Sequence, residues 1–445
     1  MAKLPAKNLI LFVVLVAGLL ACALAILSLP WVKQHGVGAP RVEVIARGSG
    51  PLSAGVGVAP IDVPLGAPIA GFPHLSYRSD GADPVTARAL VLGSGTCRVA
   101  VVSAEILLVP DSLRAAVLAR LRGVPLSGLV LGATHTHASP GGYYENLAAE
   151  RLGLGPYEPR MRDLVANAMA EAVRRALANE GPAQLSVGWG RDPDLVRGRD
   201  GARPDGRITA LRVERPGGQP LAELIVFASH ATTLGIRNRR ISGDWPAHLY
   251  ARSRRGVRLL LQGAVGDQSP WLPQGAGPVT ADDYAAAVDG AVDALRFSSP
   301  DPAPALAYAD ANVPLPLPAP PVVPLPVRHA ATNLAAGLLP TEACVSALRI
   351  GPVLLLGAPG EVMGHLAARW RELGGPESVV VSLVDGYLGY LDGDGDGSGP
   401  SAHPERTYYG PALAPALERG LSLVVGATRE AEQPPARVKE GGARP

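Results

Sequence analysis

The chain has 445 residues, of which 47% are hydrophobic and 18% charged, with a formal net charge of +2 from 41 Lys+Arg against 39 Asp+Glu. This balance excludes a disordered or supercharged protein, and the lack of a basic block excludes nucleic acid as a partner. The 53 Gly and 44 Pro imply many turns, within one large α/β unit or two to three domains.

Lys3 and Lys7 precede Leu9–Leu29, a run of 21 residues without a charge that Pro30 stops. About 20 apolar residues span a bilayer, and positive charge ahead of them places the rest of the chain outside the cytoplasm. Residues 1–31 are therefore expected to be a transmembrane anchor carrying an extracytoplasmic domain, periplasmic or extracellular. Residues 32–52 read as a linker. Strand-like runs follow at Ala87–Leu92, Arg98–Ser103, Leu129–Ala133, Gln184–Trp189, Ile208–Val213, Glu223–Ser229 and Val257–Gln262, then at Ala305–Ala311, Ala347–Leu356 and Ser378–Leu383. Helical spacing occurs at Asp111–Arg122, Met161–Asn179, Ala281–Phe297 and Val362–Leu373. The irregular alternation predicts a mixed α/β (α+β) unit with mixed sheets and flanking helices. Val313–Val327 reads as a polyproline-like connector, residues 429–445 as a disordered tail, and no internal repeat is evident. Cys97 and Cys344 leave a single disulfide open, and their spacing is not that of a cysteine zinc site.

The chemistry must come from His, carboxylate, Ser and Tyr. His135 and His137 follow the apolar run Leu129–Leu131, and positions two apart on an extended strand face the same way. The pair can converge on one ion or serve as hydrogen-bonded loop histidines. His230 ends a second strand, and Glu361 follows a third in Ala358-Pro359-Gly360-Glu361. Two histidines and a carboxylate with an open position are the ligand set of a catalytic zinc. Gln262–Pro270 packs Asp267 and Ser269 among glycines, but Pro270 rules out the nucleophile elbow of α/β-hydrolases. Asp392–Gly397 begins like a calcium loop. His403 occupies the position where the bidentate Glu is needed, so an EF-hand is rejected; a second cation such as Ca2+ or Mg2+ has no further support.

Taken in order, Gly55–Pro64, Ala87–Leu92, THTHASPGG at Thr134–Gly142, ISGDWP at Ile241–Pro246, LQGAVGDQSP at Leu261–Pro270 and APGE at Ala358–Glu361 resemble the neutral (non-lysosomal) ceramidase family. The resemblance covers roughly residues 53–425 and implies a zinc hydrolase domain over 53–428 without the family's C-terminal β-sandwich. It implies an amidase that splits ceramide, or a related N-acyl lipid, into a sphingoid base and a fatty acid by attack of zinc-bound water. Its zinc ligands fall on His135, His230, Glu361 and Tyr390, with Tyr387 the other choice for the tyrosine. Its catalytic positions fall on His137, Ser269 with Asp267, Arg197 (or Arg199) and Tyr408. The chain departs from the family at Val196–Arg199, at Trp271 and in the acidic tract after Tyr390. The rival readings are a zinc hydrolase for another N-acyl amide or ester, and a non-catalytic lipid-binding homologue.

Overall fold

In the first sheet, side chains alternate between two cores along each strand. On the strands Thr86–Ser94 and Cys97–Ala104, Leu90, Leu92, Val99 and Val101 enter one buried cluster, while Ala89, Val91, Ala100 and Val102 enter another. A strand covered on both faces needs no polar face, so its sequence runs apolar without interruption. The computed structural model describes residues 6–27, 38–72, 79–273, 279–319, 331–333, 335–393 and 407–429.

Three sheets built this way surround a shared centre. The first contains Leu52–Pro60, Thr86–Ser94, Cys97–Ala104 and Gly128–Ala133, with Gly181–Pro182 at its edge. The second contains Gln184–Arg191, Arg207–Glu214, Pro220–Phe227 and Val257–Gln262. The third contains Leu306–Pro314, Glu342–Ile350, Val353–Gly357 and Ser378–Val381, with Arg41–Gly48 at its edge. Their inner faces meet in one core that includes Leu90, Val130, Leu224, Leu261, Leu348 and Leu355. Helices Asp111–Arg120 and Pro159–Ala178 cover the outer face of the first sheet. Asp244–Ala251 and Ala281–Asp293 cover the second, and Gly364–Gly374 and Leu413–Arg429 the third.

The three sheets repeat one topology. In each, three antiparallel strands are followed by a helix and a fourth strand that runs parallel to the third. A crossover through a helix is what a parallel neighbour requires. The repetition is structural, and the sequence carries no matching repeat. The mixed α/β class expected from the alternation is the observed one.

Several expectations are corrected. Arg41–Gly48, placed in a linker, is a strand paired with Leu306–Pro314; Val44 and Ala46 pack on the shared core. Ala347–Leu356, read as one strand, is a hairpin that turns at Gly351, whose φ is +58°. Leu413–Arg429 is helical and was not anticipated. Cys97 and Cys344 are free thiols. Ala6–Leu27 is helical, with Phe12, Leu19 and Leu20 exposed; its side chains are described only at 12–23 and 25. Among the described residues no helix is long and apolar enough to cross a membrane, so the transmembrane anchor is not supported. Residues 320–330, which hold the rest of the proline-rich connector, lie outside the described residues, as do 394–406 and 430–445.

A charged ladder ties the second sheet to its helices. Glu223 is opposite Arg212 on one neighbouring strand and Arg258 on the other. Arg212 Nε donates to Glu223 Oε1 at 2.9 Å, and Arg258 Nε donates to Oε2 at 2.8 Å. Arg258 Nη1 donates to Asp289 Oδ1 at 2.7 Å and to the Leu249 carbonyl at 3.0 Å. Removing one member strands a buried charge, which costs about 3–5 kcal/mol. Arg258→Met is therefore expected to destabilise by that amount in denaturant unfolding, and adding Glu223→Leu should recover part of the loss.

Candidate metal centre

Each of the three sheets delivers one part of a polar cluster. His135 lies two residues beyond the strand Gly128–Ala133, His230 three beyond Pro220–Phe227, and Glu361 four beyond Val353–Gly357. His135 and His230 bring Nε2 to 3.3 and 3.1 Å of the same Glu361 oxygen, Oε2. All three side chains are buried. His137 stands at the half-buried mouth, with its Nε2 3.4 Å from His135 Nε2. The imidazoles of His135, His137 and His230 form a group whose candidate ligand atoms lie within 4.8 Å of one another.

The two histidines converge by a route different from simple strand alternation. His135 has a φ of +63°, a left-handed conformation uncommon outside glycine, so the His135–His137 stretch is not extended. Backbone bonds hold it there: His135 N to the Ile106 carbonyl at 3.0 Å and His137 N to the Ala231 carbonyl at 3.0 Å. The second bond joins the His137 loop directly to the His230 loop. Behind them, Gly71 (φ +143°) leaves no room for a side chain, since a Cβ there would sit 2.4 Å from His137 Cα.

The donor chemistry fits a cation. His135 Nδ1 lies 2.8 Å from the Leu107 carbonyl and His230 Nδ1 lies 2.9 Å from the Gln268 carbonyl. A carbonyl accepts only, so each Nδ1 carries the proton and each Nε2 presents a lone pair toward Glu361. Neither Nε2 can then donate to the carboxylate oxygen, so three acceptor atoms meet without a proton between them. His137 adds a third ring, whose buried Nδ1 has no hydrogen-bond partner among the described residues. Burial, then neighbouring His135 and His230, holds His137 well below its ordinary pKa. Burial and the Arg199 guanidinium push His230 down to about 3. Neutral imidazoles and an ionised carboxylate are the states a metal ion binds.

The tyrosines and arginines sort themselves around this core. Tyr387 donates its hydroxyl to Glu361 Oε1 at 2.8 Å. Burial first, then Glu361, raises the phenol well above its usual pKa and keeps that proton in place. Tyr390 is buried, and its hydroxyl lies 3.4 Å from Arg199 Nη1. Arg199 also approaches His230 Nε2 at 3.1 Å and donates to Ser269 Oγ at 2.7 Å. Arg197, the first choice from sequence, instead lies over the Trp271 ring with its guanidinium 5.4 Å from the centroid. Arg197 lies within the strand Val196–Gly198, whereas Arg199 stands at the bend that follows it, outside the strand's alternation, and only Arg199 reaches the cluster. Asp267 does not face the histidines; its carboxylate accepts from Gly364 N at 3.1 Å and from Gln268 Nε2 at 2.8 Å. Tyr408 is half-buried and lies close enough to Tyr387 to influence its ionisation.

Sequence reasoning missed the residues that hold these loops. Gln262 donates through Nε2 to the carbonyls of Thr134 (2.7 Å) and Ser229 (2.9 Å), and its Oε1 accepts from Ser229 N (3.1 Å). One buried amide thus joins the residues preceding His135 and His230. Asp244 accepts from the backbones of Thr233, Leu234 and Trp245, and from the Thr233 hydroxyl. Trp245 Nε1 donates to the His230 carbonyl at 3.2 Å. Both stand in the ISGDWP motif, but only the fold shows that they clamp the loop after His230.

Gln262→Leu leaves three buried backbone groups unpaired, and loss of such outer support costs a metal site roughly tenfold in affinity or more. Competition with a zinc chelator measures it. The histidine shifts also set a pH dependence for the metal-free chain. Because folding depresses the pKa of His137 and His230, their contribution to stability is present above about 6.5 and is lost as pH falls toward 3. Stability measured by denaturant unfolding in a chelator should fall from pH 7 to pH 5, and His230→Gln should flatten that slope.

Residues 54–251 match the family described as neutral/alkaline non-lysosomal ceramidase, N-terminal. The Mycobacterium tuberculosis neutral ceramidase is 28% identical over 170 residues, which is 34% of this chain and 26% of that protein. Neutral ceramidase B of Dictyostelium discoideum is 25% identical over 171 residues, 32% of this chain and 24% of that one. These matches thus span about a quarter of the relatives' own length. The crystal structure of the Pseudomonas aeruginosa neutral ceramidase superposes with a TM-score of 0.72 at 20% identity, over 85% of this chain and 75% of that one, which establishes a common fold. The matched region carries His135, His137 and His230, and over it the chain is similar to the neutral/alkaline non-lysosomal ceramidase family.

Proposed function

We propose that the chain is a zinc-dependent amidase that hydrolyses the N-acyl bond of ceramide or a related N-acyl lipid. The observation that carries this reading is the meeting of His135 Nε2, His230 Nε2 and Glu361 Oε2 with no proton between them. Similarity to neutral ceramidases supports the substrate class. Zinc, when bound by His135, His230 and Glu361, supplies Lewis acidity at the amide carbonyl and makes water a nucleophile near neutral pH. Tyr390, buried beside Arg199, is the candidate for a further ligand.

The reaction adds one water across the amide C–N bond and releases a carboxylic acid and an amine. Negative charge grows on the carbonyl oxygen as the bond is attacked, and fixed cationic donors stabilise it. Arg199 is placed for that role, held by Ser269 on one side and directed at His230 and Tyr390 on the other. His137 is neutral and sits at the mouth, so it can accept a proton from water and return it to the leaving nitrogen. Ser269 supports this arrangement by accepting from Arg199, and Asp267 by anchoring the helix Gly364–Gly374 that follows Glu361. An extracytoplasmic location is part of the proposal on the order of Lys3, Lys7 and the apolar run Leu9–Leu29 in the sequence alone, with no spanning helix among the described residues in its support.

The test combines metal analysis with turnover of a short-chain fluorescent ceramide. Chelation should abolish turnover and zinc should restore it. His135→Ala and Glu361→Ala should each lose zinc, whereas His137→Ala should keep zinc and lose about 10²–10⁴-fold in rate. Stoichiometric zinc with turnover only on simpler N-acyl amines would move the substrate and keep the mechanism. A chain that binds no zinc would refute the proposal.

A further inference from the structure

The loop that leaves His230 carries a second feature. Thr232 N bonds back to the His230 carbonyl at 3.0 Å, and Gly235 N to the Thr232 carbonyl at 3.1 Å, forming successive turns. The tip exposes Leu234 (38%) and Ile236 (48%) on either side of Gly235, and Arg237, Arg239 and Arg240 follow. Asp244 holds the base through Thr233 and Leu234, so the exposed side chains stand on a fixed support.

Backbone bonds extend this edge. Asp80 N donates to the Arg239 carbonyl (3.3 Å) and Asp83 N to the Ile241 carbonyl (2.7 Å). Ser79 N donates to the Ala67 carbonyl (2.9 Å), and Gly66 N to the Ser79 carbonyl (3.3 Å). The third segment of this series carries Leu65, which is 83% exposed and the most exposed large hydrophobic side chain among the described residues. Single exposed aliphatic residues are ordinary, but two on one loop tip, with a third on a segment joined to the end of that loop through Ser79–Asp83, beside an arginine-rich stretch make an amphipathic edge. Arg240 pairs with Asp83 at 2.8 Å and Arg239 with Asp80 at 3.9 Å, both at exposed positions where such pairs are weak. Arg237 has no ion pair among the described residues.

We infer that this edge is an interfacial docking surface for an anionic lipid bilayer. Leu65, Leu234 and Ile236 enter the headgroup region, while Arg237, Arg239 and Arg240 meet lipid phosphates. Apolar side chains flanked by arginine have the composition of interfacial segments, and anionic lipid adds attraction for each basic residue near the surface. The inference rests on the lipid-substrate reading and deepens it. The docked loop is the one that carries His230, so contact with the bilayer would bring the metal centre to the surface that holds an N-acyl lipid.

The test places a nitrobenzoxadiazole label at Ile236→Cys in the full chain carrying Cys22→Ser and Cys344→Ser, leaving only the buried Cys97. Gln219→Cys, at an exposed turn of the second sheet, carries the control label. Vesicles of phosphatidylcholine, alone or with phosphatidylglycerol, are added. Emission at position 236 should shift to the blue and rise by roughly twofold or more with phosphatidylglycerol, the label at 219 should not respond, and Leu234→Ser should reduce the change. This reads the depth of the loop whatever else attaches the chain to the vesicle. Identical responses at 236 and 219 would overturn the inference, as would equal responses to both vesicle types. Turnover of soluble short-chain ceramide by the labelled chain tests the amidase reading separately, since none of these substitutions touches the metal centre.

Discussion

The structure depends on one electrostatic constraint: two imidazole lone pairs and a carboxylate oxygen are held together in a buried site. Such an arrangement repels itself unless a cation joins it, so the surrounding fold must hold it by force of packing and hydrogen bonding. The Leu107 and Gln268 carbonyls set the imidazole tautomers, and Tyr387 takes the second oxygen of Glu361. Gln262 and Asp244 then fix the loops on which the histidines ride. Little of this outer support touches the reacting atoms, yet the site has no defined geometry without it.

The repeated topology explains where the constraint is placed. Each sheet contributes one group from a loop that leaves the end of a strand, and the shared hydrophobic core fixes the angle between the sheets. The groups do not come from equivalent places: His230 and Glu361 follow the third strand of their units, whereas His135 follows the fourth. The third strand of the first unit is followed at once by Glu105, which is buried and bonded to Thr86 rather than directed to the cluster. The repeat therefore supplies a scaffold, and the site departs from its symmetry.

Much of the centre was legible in the sequence because strand ends are marked by apolar runs and the residues that follow them are polar. His135, His137, His230 and Glu361 were visible on that ground alone, and the family resemblance added Tyr390 and a catalytic role for His137. The arginine was not legible. Arg197 and Arg199 are two apart, and only the path of the strand Val196–Gly198 against Gln268–Pro270 shows which one faces the histidines. Asp267 looked catalytic because it stands beside Ser269, whereas its partner is a backbone amide 97 residues further along the chain.

The sequence by itself determined the mixed α/β class, most strand and helix positions and the residues that meet at the centre, because periodicity and residue chemistry are local properties. Tertiary structure alone decided that Arg41–Gly48 is a strand, that the three sheets share a topology and a core, and that His135 adopts a left-handed conformation. It also decided that Arg199 and Gln262 serve the site. Each of these depends on a partner far away in the chain, and a contact between distant segments leaves no periodic trace in either one.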